Sequence, residues 1–213
     1  MYELFNRAYV RDIFREDDFL IEEKINPLIG SIGNREFQEL LKRYEGASFN
    51  KGIYRIVRYR DIPHWIDCIA SIFPDFSKRI VPFGYDWLGR FFCLDLERIV
   101  NSKPLVLLFS GFTDEVMEIP TNIVEFHDKV LIEQSEAALE LGKFSNFLAS
   151  SKNMGFSTTD CVDMVVPLYM RGTYSLSNMK LAELTMSWEI NAQLLSQLKP
   201  VQEGTRIKGV VVS

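Results

Sequence analysis

Val81-Pro82-Phe83-Gly84-Tyr85-Asp86-Trp87-Leu88-Gly89-Arg90-Phe91-Phe92-Cys93-Leu94-Asp95 sets an apolar run, a glycine-bracketed segment and an aromatic run in immediate succession. An apolar strand enters, Gly84 and Gly89 bracket a turn because glycine tolerates left-handed backbone angles, and a second strand leaves. The pattern continues downstream. Residues 79–83, 90–94, 104–109 and 115–119 are short apolar or aromatic runs. The stretches 84–89, 95–103 and 110–114 between them carry the punctuation of antiparallel hairpins, which predicts a strand meander. Upstream, residues 52–58 are rich in β-branched and aromatic side chains and predict a further strand.

Helical spacing flanks the meander. Phe37, Leu40, Leu41 and Tyr44 recur at i, i+3, i+4 and i+7, with Asn34 as N-cap and Gly46 as stop. A second helix is predicted from Asp61 as cap, Pro63 in the first turn and an apolar face of Ile62, Trp65, Ile66, Ile69 and Phe73, ended by Pro74. Thr121 or Asn122 caps a long helix with the stripe Ile123, Phe126, Val130, Ala137 and Leu141, and a short helix follows to residue 151. Residues 161–166 read as a strand, 184–198 as a helix apolar on most sides and therefore buried, and 205–212 as a last strand. The stretch before Gly33, with alternating charge clusters, fits a helix or an extended arm. The whole predicts an α+β fold, an antiparallel sheet meander with helices packed on one face, in residues 1–150. A C-terminal α/β extension, 151–213, follows a weak seam at 150–157, and the two parts either fold separately or pack as one unit.

Of 213 residues, 47% are apolar and 25% charged, a composition that folds. The longest apolar run, 105–109, is far short of the roughly 18 residues of a membrane span. Glu3, Arg7, Arg11 and Asp12 interrupt the first fifteen residues, so no signal peptide and no export are expected. Cys68, Cys93 and Cys161 lie far apart, form neither a disulfide framework nor a metal pattern, and suit a reducing cytoplasm. A net charge of -5 argues against nucleic acid or an anionic membrane as the main partner. Two histidines offer general-base or zinc chemistry little to draw on, and no phosphate-binding glycine loop is present, so neither a cofactor nor a metal is expected.

The Pro-Phe-Gly-x-Asp-x-x-Gly segment at Pro82, Phe83, Gly84, Asp86 and Gly89, the strand ending at Asp95, the hairpin with an acidic tip and the helix carrying Phe126 resemble the SUKH superfamily. That superfamily includes the yeast cell-wall synthesis regulator and many bacterial immunity proteins, and the resemblance spans residues 34–141. Val166-Pro167-Leu168, Arg171-Gly172, residues 176–178, Trp188-Glu189-Ile190, Gln193-Leu194 and Gly204-Thr205-Arg206-Ile207 are similar to the C-terminal domain of type VI secretion immunity proteins. The resemblance implies a protein that binds and silences a toxin. The shared positions are mostly glycines and aromatics, and they carry no catalytic signature.

Two groups are candidates for contact with such a cognate toxin. Tyr85 and Trp87 could be exposed aromatic anchors, or could fold back over the sheet as core. The acidic run of Asp114, Glu115, Glu118, Glu125, Asp128, Glu133, Glu136 and Glu140 against Lys129 could steer a basic nucleic-acid-acting toxin, or could be a solvated helix face. Arg35, Lys42, Arg43, Lys51, Arg55, Arg58 and Arg60 concentrate upstream, interrupted by acids, so the molecule is expected to be polarised without binding nucleic acid directly. Pro82, Phe83, Gly84 and Gly89 are assigned to the backbone of the turn. His64 and His127 stand outside any nucleophile motif, and Asp160 with Asp163, or Asp95 with Glu97, are loose carboxylate pairs typical of strand ends. The expectation is therefore a non-enzymatic immunity protein that occludes its toxin. The alternatives are a regulatory scaffold that binds an endogenous protein, and a hydrolase whose site is assembled by the fold. The sequence does not give the oligomeric state.

Overall fold

A computed structural model of the chain describes residues 1–13, 35–150 and 156–201. Among these, seven strands lie in sequence order across one antiparallel sheet: β1 (Arg11–Ile13), β2 (Ser48–Phe49), β3 (Tyr54–Ile56), β4 (Ile80–Asp86), β5 (Phe91–Val100), β6 (Lys103–Ser110) and β7 (Glu115–Asn122). Strands β8 (Asp160–Met164) and β9 (Met179–Glu183) form a separate antiparallel pair. The helices are α1 (Glu3–Ala8), α2 (Arg35–Tyr44), α3 (Ile62–Ile72), a broken helix α4 over 123–133, α5 (Ser135–Leu139), α6 (Leu141–Ser150) and α7 (Leu184–Leu198). The fold is α+β, built on the expected meander.

Register assigns the two faces of the sheet. Tyr85, Phe91 and Phe109 are cross-strand partners on one face, and Gly84, Phe92 and Leu108 on the other. Trp65 of α3 and Trp188 of α7 pack on Phe91, with ring centroids 4.6 and 5.5 Å away. On the opposite face Phe126 of α4 lies 4.8 Å from Phe92, and Phe5 of α1 lies 6.0 Å from Tyr54. Where the order of elements suggested one covered face, the helices divide between both. The cause is visible in β4, whose seven residues are all buried and whose sequence holds no alternating polar set to leave for water.

The helices α2 and α3 carry the predicted stripes. Phe37, Leu40, Leu41 and Tyr44 are buried, as are Ile62, Trp65, Ile66, Ile69 and Phe73. Asp61, however, makes no capping bond; it closes a 3-10 turn and faces Arg60 at 3.8 Å. The long helix after Asn122 is broken. Asn122 and Glu125 form a capping box, but a π turn at Phe126–Val130 inserts a residue, so that Phe126 and His127 are both buried. The stripe then shifts, exposing Ala137 and burying Ala138 and Leu139, and Glu140 at φ 54° separates α5 from α6. Strand β5 runs through most of the stretch expected as a loop and turns at Asn101-Ser102, both at positive φ, the geometry of a tight hairpin turn. Helix α7 is covered on one side only and leaves Met186 exposed. Its buried side includes Ser187 and Asn191, which lie near the buried Asp163 carboxyl of β8 and favour its charged form. Strands β1, β2 and β9 carried no sequence signal long enough to identify. Asn34, most of the seam and the expected strand at 205–212 lie outside the described residues.

Gly84 is not in the turn. It is paired in β4 beside a bulge between Pro82 and Gly84, and a Cβ built there would stand 2.5 Å from the Tyr54 hydroxyl. The turn proper is closed by Gly89 at φ 69°. Gly84→Ala should therefore lower stability by about 2 kcal/mol through overpacking, read as a shift in the urea unfolding midpoint with unchanged m-value.

Candidate functional site

The turn between β4 and β5 is built around a buried carboxylate. Asp86 Oδ1 accepts from the backbone N–H groups of Leu88 and Arg90, both at 3.0 Å, and Oδ2 accepts from Arg90 Nε at 2.7 Å. Burial pushes the Asp86 carboxyl above its ordinary value, and the Arg90 guanidinium opposes that shift. The remaining Arg90 nitrogens donate to Glu140 Oε1 at 2.9 Å and to the Ala138 carbonyl at 3.1 Å. The turn is thus tied to the junction of α5 and α6.

Of the two readings of Tyr85 and Trp87, exposed anchor or core, the structure shows core, and neither ring is available at the surface. Trp87 is fully buried, donates from Nε1 to the Leu139 carbonyl at 2.8 Å, and packs on Phe144 and Phe147. Tyr85 is buried and donates to the Thr158 carbonyl at 2.7 Å. Both are core because the C-terminal part closes over them: Val162 N–H donates to the Trp87 carbonyl, and Trp188 Nε1 donates to Gly89 O. Arg55 also leaves the expected basic surface. It is buried between the rings of Tyr85 and Phe156 and donates to the Asp160 carbonyl.

The acidic run does not form one face. Glu125 completes the capping box, Asp128 accepts from the backbone N–H of Phe5 at 3.0 Å, and Glu136 accepts from that of Gly142 at 2.9 Å. Glu118 pairs with Arg98 at 3.3 Å and Asp114 faces Lys199 at 3.8 Å. Glu133 is exposed on α4. Glu115 and Glu140, by contrast, come together although 25 positions apart in sequence, at the rim of a concavity of about 260 Å³. Its floor is Leu108 and Met117, on the sheet face that α4 covers further along, and its far wall is Phe112, Leu168 and Tyr174. Tyr174 donates to Glu140 Oε2 at 2.6 Å, and Lys143 Nζ lies 3.2 Å from the same carboxylate and over the Tyr174 ring. The charged groups here are the carboxylates of Asp86, Glu140 and Glu115 against Arg90 and Lys143. Glu115 supplies the unbalanced negative charge, having no ion-pair partner among the described residues. Arg90, Met117 and Tyr174 were not identified as site residues from sequence. Only the quoted segments around Pro82 and Val166 pointed to their neighbourhood.

A second cleft, of about 230 Å³, lies between Arg58, Asp61, His64 and Trp65 on one side and Thr158, Glu183 and Thr185 on the other. His64 lies 3.5 Å from the Cys68 sulfur, but burial pushes that thiol up to about 11, the wrong direction for a nucleophile. The carboxylate and histidine groups weighed for hydrolysis are not gathered. His127 is enclosed by Tyr2, Phe5, Tyr54, Phe83 and Phe126, while Asp163 packs against α7. Both ring nitrogens of His127 are engaged, Nδ1 with the Ile123 carbonyl at 2.7 Å and Nε2 with the Tyr54 hydroxyl at 3.0 Å. Among the described residues no cluster of three or more metal-ligating side chains occurs, and no helix is long and apolar enough to cross a membrane.

No protein-family model matches the chain, and no curated protein matches it. The crystal structure of Atu4351 from Agrobacterium tumefaciens is similar, at 13% identity and a TM-score of 0.63, over 91% of this chain and 89% of that one. The likeness is one of fold, and it extends through both the meander and the C-terminal part.

Burial drives His127 from 6.5 down to about 4. The neutral ring is favoured in the fold, so its contribution is complete above pH 6.5 and is lost as pH falls toward 4, where the unfolded chain binds the extra proton. Unfolding free energy should decline by about 3 kcal/mol across that window through this group. His127→Gln should be less stable at pH 7 and should lack that part of the decline, as measured by urea titrations at pH 7.0, 6.0, 5.0 and 4.5.

Proposed function

We propose that this protein is an immunity protein of SUKH type, binding one toxin domain stoichiometrically and covering its active site. The observation that carries the reading is the concavity at the end of the sheet. It is held open by the Asp86, Arg90 and Glu140 network, floored by exposed Met117 and rimmed by the unbalanced carboxylate of Glu115. An apolar floor with an acidic edge suits an aliphatic stem bearing a positive charge, the lysine and arginine chemistry with which nucleic-acid-acting enzymes hold their substrates. The resemblance of residues 34–141 to the SUKH superfamily, and of the tail to type VI secretion immunity proteins, supports the same reading. The three unpaired cysteines, Cys93 and Cys161 among them buried, fit work in a reducing cytoplasm.

Co-expression with the toxin encoded beside its gene should restore growth, and continued killing with both proteins well expressed would sink the proposal. Glu115→Lys should slow association with that toxin about 3- to 10-fold at low ionic strength, a difference that shrinks as salt is added. Stopped-flow association rates at 20 and 300 mM salt read it directly.

A further inference from the structure

Met164 and Met179 are cross-strand partners at the open end of the β8–β9 pair, and a two-residue turn would suffice to join them. The chain instead spends residues 165–178 on an excursion, a length that is uncommon for a connection without a role of its own. The loop is rigidly made. Asn178 Oδ1 accepts from the Val166 N–H at 2.9 Å, while its Nδ2 donates to the carbonyls of Val166 at 2.8 Å and Thr173 at 2.9 Å. Gly172 passes so close to the Val166 carbonyl that a Cβ would collide with it, and its N–H donates to the Pro167 carbonyl. Leu168 N–H donates to the Phe112 carbonyl, fixing the loop to the β6–β7 hairpin. With the backbone so determined, the loop still presents Val165, Val166, Tyr174 and Leu176 to solvent, at 56, 42, 37 and 39% exposure. Tyr174 is held there by Glu140, whereas the exposed parts of Val165, Val166 and Leu176 bury no apolar surface in the fold.

We propose that loop 165–178 is the apolar anchor of the toxin interface. Its occupant is a concave apolar mouth with a basic rim on the toxin domain. The inference rests on the immunity reading and extends the same site, because Leu168 and Tyr174 of the loop form the wall of the concavity that Glu115 and Glu140 rim. The negative edge at Glu115 sets the sign of the partner's rim. The fixed backbone means that little conformational freedom remains to be lost on docking, the condition under which few apolar side chains give tight binding.

The test is calorimetric titration of the purified toxin domain encoded beside the gene, in a catalytically inactive form, into the full-length protein and its variants. Val166→Asp and Leu176→Asp should each weaken binding roughly 30- to 100-fold while leaving the melting temperature within a few degrees, since both side chains lie outside the core and reach solvent. Asn178→Ala, which keeps the apolar side chains but frees the loop, should weaken binding about 10-fold. Full affinity in the two aspartate variants, with the wild type binding, would overturn the loop assignment and leave the immunity reading standing. No binding by the wild type would overturn both. Sedimentation of the isolated protein closes the remaining route: a dimer that Val166→Asp dissociates would make a second copy the occupant and overturn the proposal.

Discussion

The Asp86 carboxylate has no contact with solvent, and a charge in that position is tolerated only with a partner and a full set of hydrogen bonds. Two backbone N–H groups and the Arg90 guanidinium supply them. The consequence reaches well beyond the turn. A guanidinium has five donors in one plane, and after Asp86 is satisfied the rest point away from the sheet, to the Ala138 carbonyl and Glu140. Glu140 sits in the left-handed region between α5 and α6, and its second oxygen takes the Tyr174 hydroxyl. One buried ion pair therefore sets the β4–β5 turn, the break between two helices and a side chain of the C-terminal loop in fixed relation. Removing either member would strand the other, at about 3–5 kcal/mol.

A second buried polar contact lies on the same sheet face, beside the first, since Tyr54 is the cross-strand partner of Asp86. Tyr54 and His127 satisfy each other inside a cage of rings, and the π turn that brings His127 inward also lets its Nδ1 reach the Ile123 carbonyl. Arg55 shows the less complete case. Its Nε and Nη2 find no hydrogen-bond partner among the described residues, a cost of about 1–3 kcal/mol for each donor, partly offset by the two rings that sandwich it. That sandwich is also a clamp, since Phe156 and the Asp160 carbonyl belong to the chain entering β8. Contacts of this kind, with Trp188 on Gly89 and Leu184 beside it, give the meander and the C-terminal part a common hydrophobic core.

Periodicity made the strongly patterned elements legible. Helices α2 and α3 and strands β4 to β7 carry apolar runs at the spacing their geometry requires, so each was placed from sequence, although β5 continues to Val100 through residues that carry no such run. What escaped reading had physical causes of two kinds. Strands β1 and β2 are two or three residues long, below the length at which alternation can be seen, and their pairing depends on a sheet already formed. Helix α4 is broken by a π turn, and neither an inserted residue nor the phase shift it produces leaves a mark in composition. Gly84 was readable as special, but the reason lies in Tyr54, some 30 positions away and adjacent only across the β3–β4 ladder. The candidate site was legible by half for the same reason. Charge counting found Glu115 and Glu140 within the acidic run, but it could not separate them from Glu125, Asp128 and Glu136, whose carboxylates are spent on backbone N–H groups.

That separation bears on how a binding surface is read from charge. A carboxylate that caps a helix or satisfies a buried N–H is already compensated, and it contributes to the field outside the protein far less than its formal charge suggests. Of the eight acids between Asp114 and Glu140, most are engaged in this way or face a lysine or arginine. The surface potential at the end of the sheet therefore depends on Glu115 more than on the run as a whole. Its neighbours in space, Met117, Leu168 and Tyr174, come from a strand and a loop separated by more than forty residues of intervening chain. A surface assembled in this manner takes its shape from the ion pair at Asp86 and its sign from one side chain. A change at Glu115 would therefore alter the sign of that surface without disturbing the buried contacts that give it shape.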